Sequence, residues 1–424
     1  MRSTLAHSLP APSGCVRPPA PTPGASLAGA RRGDGQGVRP EGLRRLPKLA
    51  EVRCRRVTIP LRHPAVWSGG TRGGIPLLLV EVEDTDGATG TGEAAGPSIP
   101  LIEAALAQEF ADLLRGTEID AWRQTLNDLR AYSCHWPRVG NHAIAGLEMA
   151  LLDLTARRAG IPAAHLVGAP RAPRIRFSGY LFIDGPDANA AQARAYVAQG
   201  FDELKIKVGR DLDLDVRRLR AIRAAVGPAV GLKVDANMGW DPPLARRAMQ
   251  ALGRFDLLYV EQPVHDENLA GLRELRAACG IPIAVDESVR TLGDALRLIE
   301  ARACDIFVVY TPEAGGLFEA GHIARVAAQA GIACCLGTWG ESGLGMAAST
   351  AFLGGQPNFP FANDTHYPLL EGDIVTQPFR FVRGHAEADL GTSGWGVALD
   401  PAAVARFGTN ARRERVFTDI SGEA

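Results

Sequence analysis

From residue 173 onwards, short apolar segments alternate with amphipathic helical segments, and this rhythm restricts the fold more than any other feature of the chain. Strands that alternate with helices form parallel sheets, and eight such units predict a closed βα-barrel over residues 173–374. A doubly wound sheet is the competing architecture, but no GxGxxG motif follows the first segment. The eight predicted strands read "IRFSGYLFI", "ELKIKVG", "VGLKVDAN", "LLYVEQP", "PIAVDES", "DIFVVYT", "IACCLGT" and "NFPFAND".

The rest of the chain predicts three further regions. Residues 47–172 begin with β-branched runs separated by the turn signals "SGGTRGG" and "TDGATG" and continue with helical periodicity, which indicates a separate α+β domain. Residues 375–424 no longer show the alternation of strand and helix patterns, and we expect them to fold back onto that domain. Residues 1–46 are rich in Pro, Gly, Ala and Arg, which predicts a disordered tail without a role in chemistry.

Composition excludes several classes of function. A net charge of −1 and a charged fraction of 22% argue against nucleic acid or an anionic membrane as partner. No apolar run reaches the roughly 18 residues of a membrane-spanning helix. The seven cysteines are an odd number without CxxC spacing, which is typical of reduced thiols, and we therefore expect a cytoplasmic protein.

Lysine is rare in this chain, and its distribution indicates a catalytic base. Only four of the 46 basic residues are lysines, and Lys205, Lys207 and Lys233 fall within 29 residues. Arginine does not release its proton near neutral pH, whereas a desolvated lysine can. Lys205 and Lys207 are two apart in a predicted strand, so both side chains face the barrel interior, and each ammonium group lowers the pKa of the other. The alternative is that these lysines survived by chance.

Carboxylates end three consecutive predicted strands at Asp235, Glu261 and Asp286, 26 and 25 residues apart. These intervals equal one strand-plus-helix unit, so the three side chains should converge at the carboxyl-terminal face of the barrel, where the active sites of such barrels lie. Three converging carboxylates repel one another unless protons or a cation compensate, and an all-oxygen ligand set suits Mg²⁺. The alternative is that each acid caps the following helix.

The motifs "KIK", "VDAN", "VEQP", "VDES" and "GTWGESGLG" occur in order, and with them the chain resembles the enolase superfamily, in the subgroup of muconate-lactonizing enzymes, dipeptide epimerases and succinylbenzoate synthases. The early "GEAAGP" and "NHAIAGLEMALLDLTARRAG" resemble the capping domain of that family. The resemblance covers about residues 48–410 and implies the α/β class, a (β/α)₇β TIM-like barrel under an α+β capping domain. It also implies an enediolate intermediate, a small carboxylate substrate and a homo-oligomer. The implied site comprises Asp235, Glu261 and Asp286 as Mg²⁺ ligands, Lys207 as acid/base and Lys205 as the residue that tunes it.

The chain departs from this pattern at the end of the sixth strand, where the subgroup has a second lysine and this sequence has Tyr310. Epimerisation needs groups on both faces of one carbon, whereas elimination or cycloisomerisation can use Lys207 alone. Three readings stay open: a one-base dehydratase or cycloisomerase, a racemase or epimerase assisted by Tyr310, and a tyrosine that only packs. A non-catalytic small-molecule binding protein is the competing function.

Four further residues are candidates for substrate binding. Trp67, in the segment before "SGGTRGG", and Trp339 predict an aromatic wall, although each could equally be packing. Glu341 lies where the family has an acid beside the substrate or the lysine, and Asp364 ends the eighth predicted strand.

Overall fold

The computed structural model describes residues 47–169, 174–387 and 391–409. The predicted disordered tail, residues 1–46, lies outside the described residues. Among the helices of the described ranges, none combines the length and apolar character needed to cross a membrane.

An antiparallel sheet of three strands opens the described chain, as the predicted β-meander requires: β1 Leu49–Trp67, β2 Gly70–Asp84 and β3 Thr89–Ala95, in that order across the sheet. The turn between β1 and β2 is confined to Ser68 and Gly69, so most of the predicted turn "SGGTRGG" belongs to β2 instead. The apolar side chains Val57, Ile59 and Leu61 alternate along β1 and are buried, which fixes the register of the sheet.

Helices cover one face of this sheet. The longest of them packs on β2 and β3 and ends at Gly160, which takes the left-handed conformation that favours glycine at a helix end. Gly92 in β3 allows this close approach, because a Cβ atom there would lie 2.2 Å from the carbonyl oxygen of Gly146. The helical segments are α1 Ile99–Ala104, a π-helical stretch Ala105–Phe110, α2 Ala111–Leu114, a 3₁₀ turn Ile119–Ala121, α3 Trp122–Tyr132, α4 Pro137–Ala159 and α5 Ala163–Leu166.

The second half forms a curled parallel sheet of seven strands, in the order of the sequence, and confirms the predicted barrel class. The first predicted strand divides into two, because residues 174–176 pair outside the barrel and only the later part joins the parallel sheet. The strands are β4 Arg174–Arg176 outside the barrel, and within it β5 Gly179–Leu181, β6 Glu203–Lys207, β7 Gly231–Asp235, β8 Leu257–Glu261, β9 Ile283–Val285, β10 Ile306–Val309 and β11 Ala333–Leu336.

The eighth predicted strand, "NFPFAND", is not a regular strand. It still closes the barrel, since its backbone bonds to β11 through Cys334 N to Asn358 O and Asp364 N to Leu336 O, both near 2.9 Å. On its other side an isolated parallel bridge joins Asn363 to Phe177. Pro360 in the middle of the segment has no N–H to donate, which accounts for the interrupted ladder.

Helices surround the barrel, and polar side chains cap several of them. Asp211, Asp241, Asn268, Thr291 and Ser342 each accept a hydrogen bond from a backbone N–H in the first helical turn, as such residues commonly do. The helices are α6 Pro186–Ala198, α7 Leu212–Val226, α8 Pro242–Leu252, α9 Leu269–Cys279, α10 Leu292–Ala301, α11 Thr311–Ala314, α12 Leu317–Gln329 and α13 Gly343–Gly354, with 3₁₀ turns at Gly253–Phe255 and Tyr367–Leu369.

The C-terminal region contacts both parts of the molecule. Strand β12 (His385–Glu387) pairs antiparallel with β4 beside the barrel. Helix α14 (Pro401–Phe407) lies near β1, and Gly408 forms an isolated bridge to Val57 of the three-stranded sheet. The exact bounds of the predicted domains stay predictions.

Candidate functional site

The three predicted metal ligands lie together at the carboxyl ends of neighbouring barrel strands. Asp235 is the last residue of β7, Glu261 is the last residue of β8, and Asp286 directly follows β9. One carboxylate oxygen from each lies within 4.8 Å of the others, and all three side chains are buried. The parallel register pairs Asp235 with Glu261, so the spacing of one strand and one helix brings these groups side by side.

The chemistry of this carboxylate cluster fits a divalent cation. Burial, followed by repulsion from Asp235, raises the pKa of Glu261 well above its usual value, and burial together with Glu287 and Glu261 does the same for Asp286. Glu261 Oε2 is buried and has no hydrogen-bond partner within the described chain. Three buried carboxylates with an unpartnered oxygen match the oxygen ligands that Mg²⁺ prefers.

The two lysines of β6 occupy different environments. Lys205 is fully buried, and its Nζ donates to Glu261 Oε1 at 2.6 Å and to Asp364 Oδ2 at 2.7 Å, with Asp235 Oδ2 at 3.3 Å. Lys207 donates to Asp235 Oδ2 and to Asn237 Oδ1, each at 2.6 Å, and lines the main cavity. Lys205 is therefore enclosed by acids, whereas Lys207 is within reach of a molecule in the cavity.

The predicted lowering of the Lys207 pKa by its neighbour is outweighed in the structure. Burial and Lys205 do act to lower the pKa of Lys207, as expected. However, the Asp235 carboxylate at 2.6 Å, together with Tyr180 and Glu261, stabilises the ammonium form by more than burial and Lys205 oppose it, so the pKa of Lys207 stays above its usual value. Although burial opposes ionisation of Asp235, the two lysines lower its pKa to about 2. Spacing along the strand identified the like charges correctly but missed the counter-ion.

Asp364 forms part of the floor beneath the cluster. Its Oδ1 lies 2.8 Å from Lys233 Nζ, its Oδ2 accepts from Lys205, and Lys233 also donates to the carbonyl oxygen of Ala362 at 2.5 Å. Burial opposes ionisation of Asp364, but Lys205 and Lys233 hold its pKa well below the usual range. Asp364 does not line the cavity, and its contact with substrate stays a prediction.

A cavity of about 810 Å³ opens above the carboxylate cluster between the barrel and the α+β domain. The barrel contributes Lys207 and Asp286, and the three-stranded sheet and α4 contribute side chains to the opposite wall. Trp67 and Trp339 both line this cavity, where the aromatic wall was predicted. Trp339 Nε1 donates to Glu313 Oε1 at 2.8 Å, so one edge of the indole is held by the barrel.

Glu341 lies outside this lining. Its carboxylate accepts hydrogen bonds from the hydroxyl groups of Thr338 and Thr365, and burial raises its pKa to about 7. These threonines provide local partners for the buried acid, and a direct contact between Glu341 and substrate stays a prediction.

Tyr310, at the position of the expected second lysine, follows β10 and lines the cavity. Its hydroxyl group donates to Asp286 Oδ2 at 3.1 Å. Burial, followed by the charge of Asp286, raises the pKa of Tyr310 well above its usual value. The ring lies against Gly337, which directly follows β11, and a Cβ atom there would be 1.9 Å from the ring, so the glycine leaves the space that the tyrosine occupies.

Three residues of the cavity were not identified from the sequence. Arg72 from β2, Tyr180 from β5 and His366 after the eighth segment line the same cavity as Lys207. The Tyr180 ring lies 5.6 Å from Lys207 Nζ and meets the His366 ring edge-on, with centroids 4.4 Å apart. Arg72 is part of the predicted turn "SGGTRGG" and His366 of "FANDTHYP", but 294 residues separate them, and no local pattern predicts their contact.

A barrel whose strand ends carry a carboxylate cluster opposite a strand with two lysines, beneath an α+β domain, has the architecture of the enolase superfamily. Family models agree with this class. Residues 49–168 match the "Mandelate racemase / muconate lactonizing enzyme, N-terminal domain", and residues 188–403 match the "Enolase C-terminal domain-like" model. The chain belongs to the mandelate racemase / muconate lactonizing enzyme family of the enolase superfamily, and it is an enzyme of lyase or isomerase type.

Individual relatives include both epimerases and cycloisomerases. The L-Ala-D/L-Glu epimerase of Bacillus subtilis is 32% identical over 73% of this chain and 86% of that protein. Muconate cycloisomerase 1-1 of Acinetobacter lwoffii is 30% identical over 83% and 94%. The structure of the dipeptide epimerase of Enterococcus faecalis, complexed with Mg and the dipeptide L-Leu-L-Tyr, superposes with a TM-score of 0.74, covering 83% of this chain and 99% of that one at 29% identity.

Proposed function

We propose that this enzyme uses Mg²⁺ and Lys207 to remove the proton α to a substrate carboxylate. Lys207 would act as the free amine when Mg²⁺ bound to Asp235 offsets the carboxylate charge that otherwise holds it as an ammonium ion. The single observation that carries the proposal is the position of Lys207. Of the lysines in the described chain, it alone lines the cavity, and it contacts Asp235 of the carboxylate cluster at 2.6 Å. A proton-transfer group must be within hydrogen-bonding reach of the substrate, and this amine meets that condition.

Such a reaction needs metal ligands, a positioned base and a wall that excludes water, and different residues of the site can supply each of these. Bound to Asp235, Glu261 and Asp286, Mg²⁺ would hold the substrate carboxylate and stabilise the negative charge that develops as the α-proton leaves. Asp235 and Asn237 position Lys207 at the cavity wall. Trp67 and Trp339 would cover the substrate and exclude water.

The wall opposite Lys207 favours a one-base reaction. Tyr310 replaces the expected second lysine, and its hydroxyl group donates to Asp286 at 3.1 Å instead of being free to accept a proton. With one base, Lys207 would remove the α-proton and deliver it on the same face to the β-oxygen that leaves as the Cβ–O bond breaks, which is a β-elimination that releases water. In a cycloisomerisation the same group would transfer the one proton at the α-carbon, while the Cβ–O bond of the ring forms or breaks within the molecule. We therefore propose a dehydratase or cycloisomerase.

A second candidate is a racemase or epimerase of an amino acid derivative, with Tyr310 as the acid on the second face. Two observations favour it: Tyr310 lines the cavity, and several relatives of similar identity are epimerases. The fate of the stereocentre separates the two reactions.

The test is Mg²⁺-dependent exchange of the α-proton for deuterium across a library of hydroxy acids, N-acyl amino acids and dipeptides, followed by NMR and chiral chromatography. We expect exchange without inversion, unchanged in Tyr310→Phe and reduced about 10²- to 10⁴-fold in Lys207→Ala, with Mg²⁺ binding retained. Lys48→Ala is the matched control, since Lys48 is exposed and lies on the other domain.

Three results would contradict this proposal. Inversion that disappears in Tyr310→Phe would favour the epimerase. Turnover retained in Lys207→Ala would remove the assignment of the base. Absence of exchange and of turnover with every compound would favour a binding protein without catalysis.

A further inference from the structure

Side chains from four consecutive βα loops of the barrel are joined along one wall of the cavity. Arg290, after β9, donates from Nη1 to Asp266 Oδ2 at 2.9 Å and from Nε to Glu313 Oε2 at 3.2 Å. Asp266 follows β8, and Glu313 lies in α11 after β10. The other oxygen of Glu313 accepts from Nε1 of Trp339, which follows β11, at 2.8 Å. These four residues line the cavity and form what we call the loop wall, in which Glu313 links the guanidinium group to the indole.

The helix α4 of the α+β domain completes this wall. Asn141 Nδ2 donates to the backbone oxygen of Glu313 at 2.8 Å, and the His142 ring meets the Trp339 ring edge-on, with centroids 6.0 Å apart. The carbonyl oxygen of Ala95 lies 2.6 Å from His142 Nδ1 and can only accept, so Nδ1 carries the ring proton. Burial lowers the pKa of His142, which agrees with a neutral ring. The helix therefore adds a paired amide and a neutral aromatic ring to the wall.

The polar groups of the loop wall are paired with one another. Nε1 is the one polar atom of the Trp339 side chain, and Glu313 accepts its proton. Glu313 and Asp266 together compensate the charge of Arg290. The side chain of Glu313 is 9% exposed, so these partners satisfy its charge more than water does. A polar substrate group beside the indole would lose its water without gaining a hydrogen bond from the ring, whereas an apolar group would lose nothing.

We propose that Glu313 is a positioning residue for substrate selection, because it occupies the indole N–H of Trp339 and one side of Arg290 and so makes the loop wall select an apolar side group. Without Glu313, the indole N–H and that side of the guanidinium group would be donors without an acceptor. The wall would then favour a side group with acceptor oxygens, since buried donors need acceptors. This inference rests on the proposed function for the carboxylate that the metal cluster holds.

The test uses three ligands whose side chains share one branched shape. N-acetylleucine, N-acetylasparagine and N-acetylaspartate, each as both enantiomers, are titrated into the Mg²⁺-loaded protein by calorimetry. For wild type we expect the leucine derivative to bind about tenfold or more tightly than the other two. In Glu313→Ala, the preference for the leucine over the aspartate derivative should fall at least about tenfold, because aspartate can accept from the released donors. Glu313→Gln, which keeps an acceptor for the indole, should retain part of the preference.

Trp339→Phe tests whether Glu313 acts through the indole, because phenylalanine keeps an aromatic ring without the N–H group. We expect Glu313→Ala to lower the preference less in the Trp339→Phe background than in wild type, as residues in contact show non-additive effects. In ¹⁵N-labelled protein, the indole signal that is absent from Trp339→Phe should shift in Glu313→Ala. This signal reports the hydrogen bond without any ligand.

Glu267→Ala is the matched control, because Glu267 is an exposed acid that lines the same cavity. If only the negative field of the cavity matters, Glu267→Ala will lower the preference as much as Glu313→Ala does, and the inference fails. It also fails if the indole signal does not shift, if the two substitutions are additive, or if none of the ligands binds. These outcomes are independent of α-proton exchange, so a failure of the proposed function would be recorded separately. Thermal unfolding of each variant verifies that it is folded.

Discussion

Replacing each lysine of β6 in turn should separate a structural cation from a catalytic one. In Lys205→Met, an unbranched side chain of similar length removes the charge. Asp364 then keeps Lys233 at 2.8 Å and Asp235 keeps Lys207 at 2.6 Å. Glu261 keeps no cation, and its Oε2 already lacks a hydrogen-bond partner within the described chain.

The expected magnitude follows from that difference. Removing one partner of a fully buried ion pair costs about 3–5 kcal/mol, because the remaining charge is uncompensated. In Lys207→Met, Asp235 still has Lys205 at 3.3 Å and is not left without a cation, so we expect a cost of about 1–2 kcal/mol, near the lower end for a charged hydrogen bond. The free energy of unfolding of a domain is about 5–15 kcal/mol, so the two costs are readily distinguished.

The assay is urea unfolding, first in EDTA and then in Mg²⁺. A cation that binds the folded state at 100 times its dissociation constant adds about 2.7 kcal/mol. The increase in unfolding free energy on adding Mg²⁺ should be larger for Lys205→Met than for wild type. In the variant, Mg²⁺ also compensates the charge of Glu261, which has lost its lysine. This account of the cluster would be refuted if the two variants lost the same unfolding free energy in EDTA. It would also be refuted if Mg²⁺ stabilised Lys205→Met no more than it stabilises wild type.

Two further predictions concern buried acids. In Asp286→Asn, the Mg²⁺ affinity measured by calorimetry should fall at least about tenfold, while stability in EDTA stays equal or rises, because repulsion from Glu287 and Glu261 is relieved; unchanged affinity would remove Asp286 as a ligand. Burial raises the pKa of Glu93 to about 8 in the folded protein, whereas the pKa in the unfolded chain is about 4.3. Between about pH 4 and pH 8 the folded state therefore keeps a proton that the unfolded state has lost, and the stability of wild type should fall as the pH rises through this range. Glu93→Gln should reduce this loss in urea midpoints, and parallel pH profiles of variant and wild type would contradict the assignment.

The sequence predicted the site correctly where each strand-plus-helix unit contributes one side chain at the end of its strand. Asp235, Glu261 and Asp286 each end a strand of the same parallel sheet, and the equal length of the units was enough to predict that they meet. It was less informative where partners come from distant elements. The period of two along β6 placed Lys205 and Lys207 on one face, but it could not show that acids enclose the first and that Asp235 holds the second as an ammonium ion.

The eighth barrel segment shows a different limit. Its apolar run predicted a strand, but Pro360 interrupts the ladder, and the barrel closes through single hydrogen bonds at Asn358, Asn363 and Asp364. This irregular backbone leads directly to Asp364 beneath the cluster and to His366 at the cavity wall. The departure from regular structure therefore coincides with the part of the strand end that carries polar groups, as is common at functional sites.

Charge balance connects the carboxylate cluster with the proposed cation. Asp235 and Asp364 each contact two lysines, which hold the pKa of both carboxyl groups below the usual range although burial opposes it. Glu261 contacts one lysine, and Asp286 contacts no lysine in the described chain. Burial and the neighbouring carboxylates raise the pKa of both groups, so these two acids lack a compensating charge. A divalent cation held by Asp235, Glu261 and Asp286 would supply that charge where the lysines do not, which is why we place it there.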